Sequence, residues 1–148
     1  MDHKFSIVNI RLFEAHFAVN ELYKGEKNKS IEIIHNIEIE YKKTDKILHV
    51  LVLISSDSED QPFRFSVAWE GSFAFEKMPT KENLERIAQI NCAAIIYPYV
   101  RESVADLTRR SGRPPLNLAP YNFVAMYEEK QETVSQTPPR KSRKKSKP

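Results

Sequence analysis

The chain has 148 residues, 41% of them hydrophobic, with three glycines and one cysteine, which suits one domain with a buried core. Cys92 alone excludes an intramolecular disulfide, and the longest apolar run, near LHVLVLI, is far too short to span a membrane. The net charge of +3 belongs to one end: residues 138–148 hold six of the 23 Lys and Arg and none of the 20 acids, leaving 17 bases against 20 acids elsewhere.

The N-terminal MDHKFSIVNIRLFEAHF lacks the uninterrupted apolar stretch of a secretory signal, and with the lone cysteine it reads as a soluble, cytoplasmic protein. FSIVNIRLFEAHFAV is a strand with a phase change. Val8, Ile10 and Leu12 share one parity and Phe13, Ala15 and Phe17 the other, as a bulge would produce. NELYKGEKNKS is a polar crossover with Tyr23 in its middle. In IEIIHNIEIEY, Ile31, Ile33, Ile37, Ile39 and Tyr41 alternate with Glu32, Glu38 and Glu40, a strand with one apolar face. His35 falls on the apolar side and reads as a core or edge histidine with one hydrogen-bond partner, since His3, His16 and His49 form no ligand spacing with it.

KKTDK makes a turn, and ILHVLVLI is apolar on both parities, as in a strand covered on both faces. SSDSEDQP is a solvated hairpin loop without calcium-loop spacing. FRFSVAWEGSFAF places Phe63, Phe65, Val67 and Trp69 on one face, and Gly71 marks a bulge or bend.

Helical spacing follows. Thr80 is placed to cap a helix on which Leu84, Ile87, Ala88, Asn91, Ala94 and Ile95 share a face. Pro98 predicts a kink, Arg109 and Arg110 occupy the last turn, and Gly112 provides a left-handed stop. A short helix then starts near Tyr121, and from Gln131 on the large apolar groups vanish. The expected fold is therefore α+β: a four-stranded antiparallel sheet, a long kinked helix and a short C-terminal helix. The domain covers residues 1–130, with a disordered basic tail over 131–148.

Catalytic signals are sparse. No glycine-rich phosphate loop, nucleophile elbow, CxxC or HExxH occurs, so neither an enzyme nor a cofactor or metal is expected. Cys92 reads as a small buried hydrophobe, and Asp106 with Arg109 as a surface ion pair. Arg101, close after Tyr99, is a candidate contact to another subunit. Ile34 on the charged parity, together with ILHVLVLI, suggests that the second sheet face is not all water, which points to self-association or a binding groove.

The stretch NCAAIIYPYVRESVADLTRRSGRPPLNLAPYNFVAMY resembles the SecB export chaperone family. The resemblance rests on Cys92, Tyr97-Pro98-Tyr99, Arg101, Gly112, the run Pro115 to Pro120 and Asn122-Phe123, with weaker support from Phe13 to Ala15 and the Gly71 region. It implies an ATP-independent cytoplasmic holdase, a homotetramer built as a dimer of dimers, that carries unfolded preproteins to the motor ATPase SecA. In RPPLNLAPYNF the prolines would then stiffen the link between the helices, with Leu116 and Leu118 anchoring it on the core.

The site residues expected on this basis are Phe17, Tyr23, Phe73, Phe75, Phe123, Met126 and Tyr127 for client binding. Phe123, Met126 and Tyr127 fit two roles, a groove wall or plain docking of the short helix. Ile87, Asn91 and Ile95 are the expected subunit interface, and Glu14, Arg64 and Ser66 the translocase-docking positions. Here the sequence departs from the resemblance: of the docking positions Ile10, Glu14, Arg64 and Ser66, only Glu14 is acidic, and the tail is basic. Two further readings follow: a specialised SecB-like chaperone of a toxin–antitoxin pair, with an antitoxin as client, and an adaptor meeting nucleic acid or an anionic surface through the tail. The tail lacks aromatics for base stacking, which disfavours specific nucleic-acid binding, and no membrane insertion is expected.

Overall fold

The structure is a computed structural model and describes residues 4–25 and 33–136. Four strands, β1 (Phe5–Val19), β2 (Asn36–Thr44), β3 (Ile47–Ser56) and β4 (Phe63–Phe75), form one antiparallel sheet in the order β1-β4-β3-β2. The helical run comprises α1 (Lys81–Arg86), a π-helical turn (Ile87–Cys92) and α2 (Ala93–Arg110), and α3 (Phe123–Gln136) follows the proline-rich link.

The alternation in the sequence sets the core. Leu48, Val50, Val52 and Ile54 of β3 and Phe63, Phe65, Val67, Phe73 and Phe75 of β4 turn one way and are buried beneath α2. The other parity of β3, including Leu51 and Leu53, is only half-buried, so the expected double cover of this strand holds on one face. The phase change in β1 is a pair of bulges at Val8 and Phe13, where the register against β4 slips between Ile7 and Asn9 and between Leu12 and Glu14.

Gly71 is not at a bulge: it pairs in register with Ile10 on one side and Val50 on the other. A β-carbon there would lie 2.8 Å from the Phe73 ring and 3.0 Å from Ile96 Cδ1, so close packing requires the glycine. The strand expected from Ile31 begins only at Asn36. Asn36 already faces Ser55, one residue from the end of β3, so Ile33 and Ile34 have no ladder to join, and Ile31 lies outside the described residues.

Thr80 caps α1, its hydroxyl accepting from the Asn83 N–H at 3.3 Å. The helix face read from the sequence is corrected beyond this point. In the π turn the Ala93 N–H reaches back five residues to the Ala88 carbonyl. The extra residue rotates everything downstream, so Cys92, Ala93, Ile96, Tyr97, Val100 and Val104 are buried while Asn91 and Ala94 are exposed. Pro98 sits exposed inside α2, which continues through it, and a separate irregularity, the π turn, lies upstream. Gly112 at φ +89° stops α2, as expected. Asp106 binds both Arg109 and Arg110, and these hydrogen bonds, Arg110's first, hold its carboxyl below the usual range. Helix α3 runs to Gln136, past the start of the tail expected at Gln131; residues 137–148 lie outside the described residues.

Candidate functional site: an apolar groove beside the short helix

The proline-rich link fixes where α3 sits. Pro114 and Pro115 have no N–H, so the first amide available after them is that of Leu116, which donates to Thr108 Oγ1 at 2.8 Å. Leu118 is 2% exposed, and the Tyr97 hydroxyl donates to the Ala119 carbonyl. Desolvation, with Tyr121 nearby, pushes the Tyr97 hydroxyl up to about 12, while Arg101 pulls it slightly back. Tyr97, Tyr121 and Phe123 then stack mutually, with centroids 5.3 to 5.9 Å apart. His35 closes this corner, its Nε2 lying 3.0 Å from the Tyr121 hydroxyl and its Nδ1 3.4 Å from the Ile33 carbonyl, so it has two partners where one was expected.

Against this anchored start, α3 lies beside the edge strand β2. A groove of about 550 Å³ opens between them, with Ile37 and Met126 as apolar walls and Glu85, Glu129, Lys130 and Thr133 along its rim. Tyr127 is half-buried, with the Arg86 guanidinium 5.9 Å above its ring, and the Tyr41 hydroxyl donates to Glu85 at 3.3 Å.

The residues expected to bind clients divide. Phe73 (0% exposed), Phe75 (2%) and Phe123 (6%) are core, so they offer no surface, and their assignment is corrected. Both face positions of β4 lie under the helix, and Phe123 is clamped by Tyr97. Met126 remains at the groove, and Tyr127, half-buried on the same helix, lies beside it under Arg86 rather than in its lining. Phe17, packed on Phe63 at 5.6 Å, is half-buried on β1, the opposite edge strand of the sheet, and Tyr23, beneath Arg113 at 5.3 Å, is half-buried shortly after that strand ends.

Of the interface residues, Ile87 is buried in the core with Leu84 and Ala88 of the same helix face, so it offers no surface and the assignment fails there. Asn91 is exposed and Ile95 half-buried. The larger uncovered apolar surface is on β1, where Ile7, Leu12 and Val19 are each about half exposed although they face the helix side; α2 packs on β3 and β4 and does not roof β1. Tyr99 continues this surface from α2, its ring 5.1 Å from Trp69, whose indole N–H donates to Ser103. Sequence parity grouped Leu12 with Val8 and Ile10 but could not show that the helix stops short of β1 and leaves Ile7, Leu12 and Val19 uncovered.

Glu14, Arg64 and Ser66 do share the open sheet face, with Ser66 Oγ 3.5 Å from Glu14 Oε2. The same face also carries Glu38, Glu40 and Glu70, which the sequence reading left out of the site. Cys92 is fully buried, and desolvation pushes its thiol up to about 12, as befits a core residue. Among the described residues no group of His, Cys, Asp and Glu could hold a metal ion, and no helix is long and apolar enough to cross a membrane.

A sheet roofed on one face, an unroofed apolar edge and an apolar groove with a charged rim define a class of α+β subunit that presents surface to other polypeptides. The family described as "Preprotein translocase subunit SecB" matches residues 12–134. The chain belongs to this SecB family of protein-export chaperones.

It is 32% identical over 132 residues to the protein-export protein SecB of Nitrobacter hamburgensis, covering 85% of this chain and 82% of that protein. It is 40% identical over 85 residues to the SecB of Methylobacillus flagellatus, covering 56% and 54% of the two chains. Several other SecB relatives are likewise matched over little more than half their length. The structure resembles that of a SecB-like chaperone from Mycobacterium tuberculosis solved in complex with an antitoxin peptide, at TM-score 0.63 and 25% identity, covering 78% of this chain and 89% of that one.

Proposed function

We propose that the chain is an ATP-independent, cytoplasmic holdase that binds unfolded preproteins, with the groove between α3 and β2 as part of its client surface. The observation that carries this reading is the groove itself: Ile37 and Met126 stay accessible, whereas Leu48, Val50, Val52 and Ile54 of β3 and Phe63, Phe65, Val67, Phe73 and Phe75 of β4 are buried. Methionine and aromatic side chains adapt to many sequences, as a general holdase needs. The uncovered Ile7, Leu12 and Val19 surface of β1, with Tyr99 and Ile95, supports assembly with further copies, as in a dimer of dimers. Handover to SecA remains part of this proposal, and the displacement of acidic residues from Arg64 and Ser66 to Glu38, Glu40 and Glu70 predicts a shifted footprint for it.

The test is suppression of aggregation of a chemically unfolded preprotein by the full chain and by the double variant Met126→Ser, Tyr127→Ala. A several-fold loss of suppression with an unchanged melting temperature is expected. Equal suppression by both proteins would remove the groove from the client surface. The likeness to a chaperone solved with an antitoxin peptide supports a second reading, in which one dedicated antitoxin is the client; a failure of the full chain on several preproteins, with a toxin–antitoxin pair encoded beside it, would favour that.

A further inference from the structure

The sheet face turned away from the helices has a charge pattern that client binding does not use. The strand register sets two consecutive rows across it: Arg11, Glu70, Leu51 and Glu40, then Glu14, Ala68, Leu53 and Glu38. Four carboxylates thus bracket two half-exposed leucines against one guanidinium, and Arg11 is already paired with Glu70 at 2.9 Å. Glu38 and Glu40 stand exposed on the edge strand, and neither forms an ion pair with another described residue.

On this face lies a pocket of about 240 Å³ walled by Phe13 and Leu51, with Glu40, Glu70, His49 and Lys42 around it. The Arg11 guanidinium already lies 5.8 Å over the Phe13 ring and is paired with Glu70, which leaves Glu40 beside Leu51 as the rim carboxylate with no ion pair among the described residues. An apolar wall next to a carboxylate suits the stem and head of a lysine or arginine.

The chain supplies such side chains close by. Residues 138–148 hold six Lys and Arg and no acid. Their point of departure, the end of α3 at Gln136, follows a helix whose Met126 and Thr133 share a groove with Ile37 of β2. Glu38, the next residue of β2, points to the opposite face of the same edge strand. Twelve residues reach up to ~40 Å when extended, whereas four strands span only ~15 Å.

We propose that residues 138–148 round the β2 edge and lie across the open sheet face of their own chain. Their basic groups meet Glu38, Glu40 and Glu14, and one of them fills the pocket against Phe13 and Leu51. The tail so placed covers Leu51 and Leu53 and competes with any partner that docks on this face. The inference goes beyond the holdase reading and stands independently of it, because the groove beside α3 lies on the other side of the sheet.

Zero-length carbodiimide coupling of the full chain, followed by mass spectrometry, tests it. At low salt, Lys141, Lys144, Lys145 or Lys147 should be joined to Glu38 or Glu40, and the links should vanish near 1 M salt, where the screening length falls to ~3 Å. Links confined to Glu128, Glu129 and Glu132 of α3, or no links from the tail, would overturn the proposal. In a mixture of isotopically light and heavy protein, links should join like with like; light-to-heavy links would place the tail on a second copy and overturn it for the chain's own tail. In the full-length Glu38→Gln, Glu40→Gln variant, whose changes are on the surface, trypsin should cut the tail several-fold faster than in the unmodified protein at low salt. Equal rates would also refute the proposal.

Discussion

Replacing Thr108 by valine probes the joint on which the groove depends. Thr108 is fully buried, and its hydroxyl serves both sides of the joint. It donates to the Val104 carbonyl at 2.9 Å and accepts the Leu116 N–H at 2.8 Å. Valine has the same shape and no acceptor, so the Leu116 amide loses its partner in a part-buried position. A typical intramolecular hydrogen bond contributes ~1 kcal/mol net, and an orphaned buried donor costs ~1–3 kcal/mol. Thr108→Val should therefore destabilise the fold by ~1–3 kcal/mol, lowering the melting temperature by ~2–4 °C for each kcal/mol. Thr108→Ser keeps the hydroxyl and should cost less, about the burial of one methyl group, ~0.8 kcal/mol. Urea midpoints are compared at one fixed protein concentration, because the proposed assembly into further copies would make apparent stability depend on concentration. Hydrogen exchange localises it: the Leu116 amide should lose protection in the valine variant alone. If serine and valine variants unfold together, or Leu116 exchanges equally in both, the hydroxyl does not hold the link.

Gly71→Ala should lower the urea midpoint by an amount corresponding to ~1–3 kcal/mol, because the new methyl meets the buried Phe73 ring and Ile96; an unchanged midpoint would show that the Phe73 ring can move aside. Cys92 and Tyr97 both titrate near 12 in the folded chain, above their unexceptional values of 9.0 and 10.0. The unfolded chain therefore releases these protons first as pH rises. The stability associated with the two neutral groups is whole below about pH 9 and should decline steadily as pH climbs towards 12, which urea midpoints across that interval will reveal. A flat profile would mean that neither group stays protonated on burial.

Much of the sheet was legible because side-chain alternation is a local rule. The isoleucines and glutamates of β2 and the phenylalanines of β4 fall on the faces their parity assigns. Helix ends marked by Thr80 and Gly112 were legible for the same reason, each being a local backbone requirement. The π turn was not. Periodicity assumes a constant angle per residue, and one extra residue at Ile87–Cys92 moved Asn91 and Ala94 outward and Cys92 and Ala93 inward.

Aromatic residues misled in another way. Phe73, Phe75 and Phe123 have the chemistry of a binding surface and of a core alike, and only the position of α2 and Tyr97 separates the two. The open-face carboxylates were visible in the sequence one strand at a time. Their grouping into rows required the register between β2, β3 and β4, which no single segment encodes.

One small polar cluster carries a consequence for how this scaffold can change. Gln61, 2% exposed, accepts the Ile34 N–H on its side-chain oxygen at 2.7 Å and donates to Ser56 Oγ, which in turn donates to the Ile34 carbonyl. The Asn20 side-chain amide donates to the Gln61 carbonyl at 2.8 Å. Both ends of the crossover between β1 and β2 are thus stapled to one residue. The sheet therefore does not sense the length of chain between Asn20 and Ile34, and doubling that length would add only ~0.6 kcal/mol of closure entropy. This makes the crossover a natural place to graft a reporter peptide or a second binding element while the rest of the subunit keeps its shape.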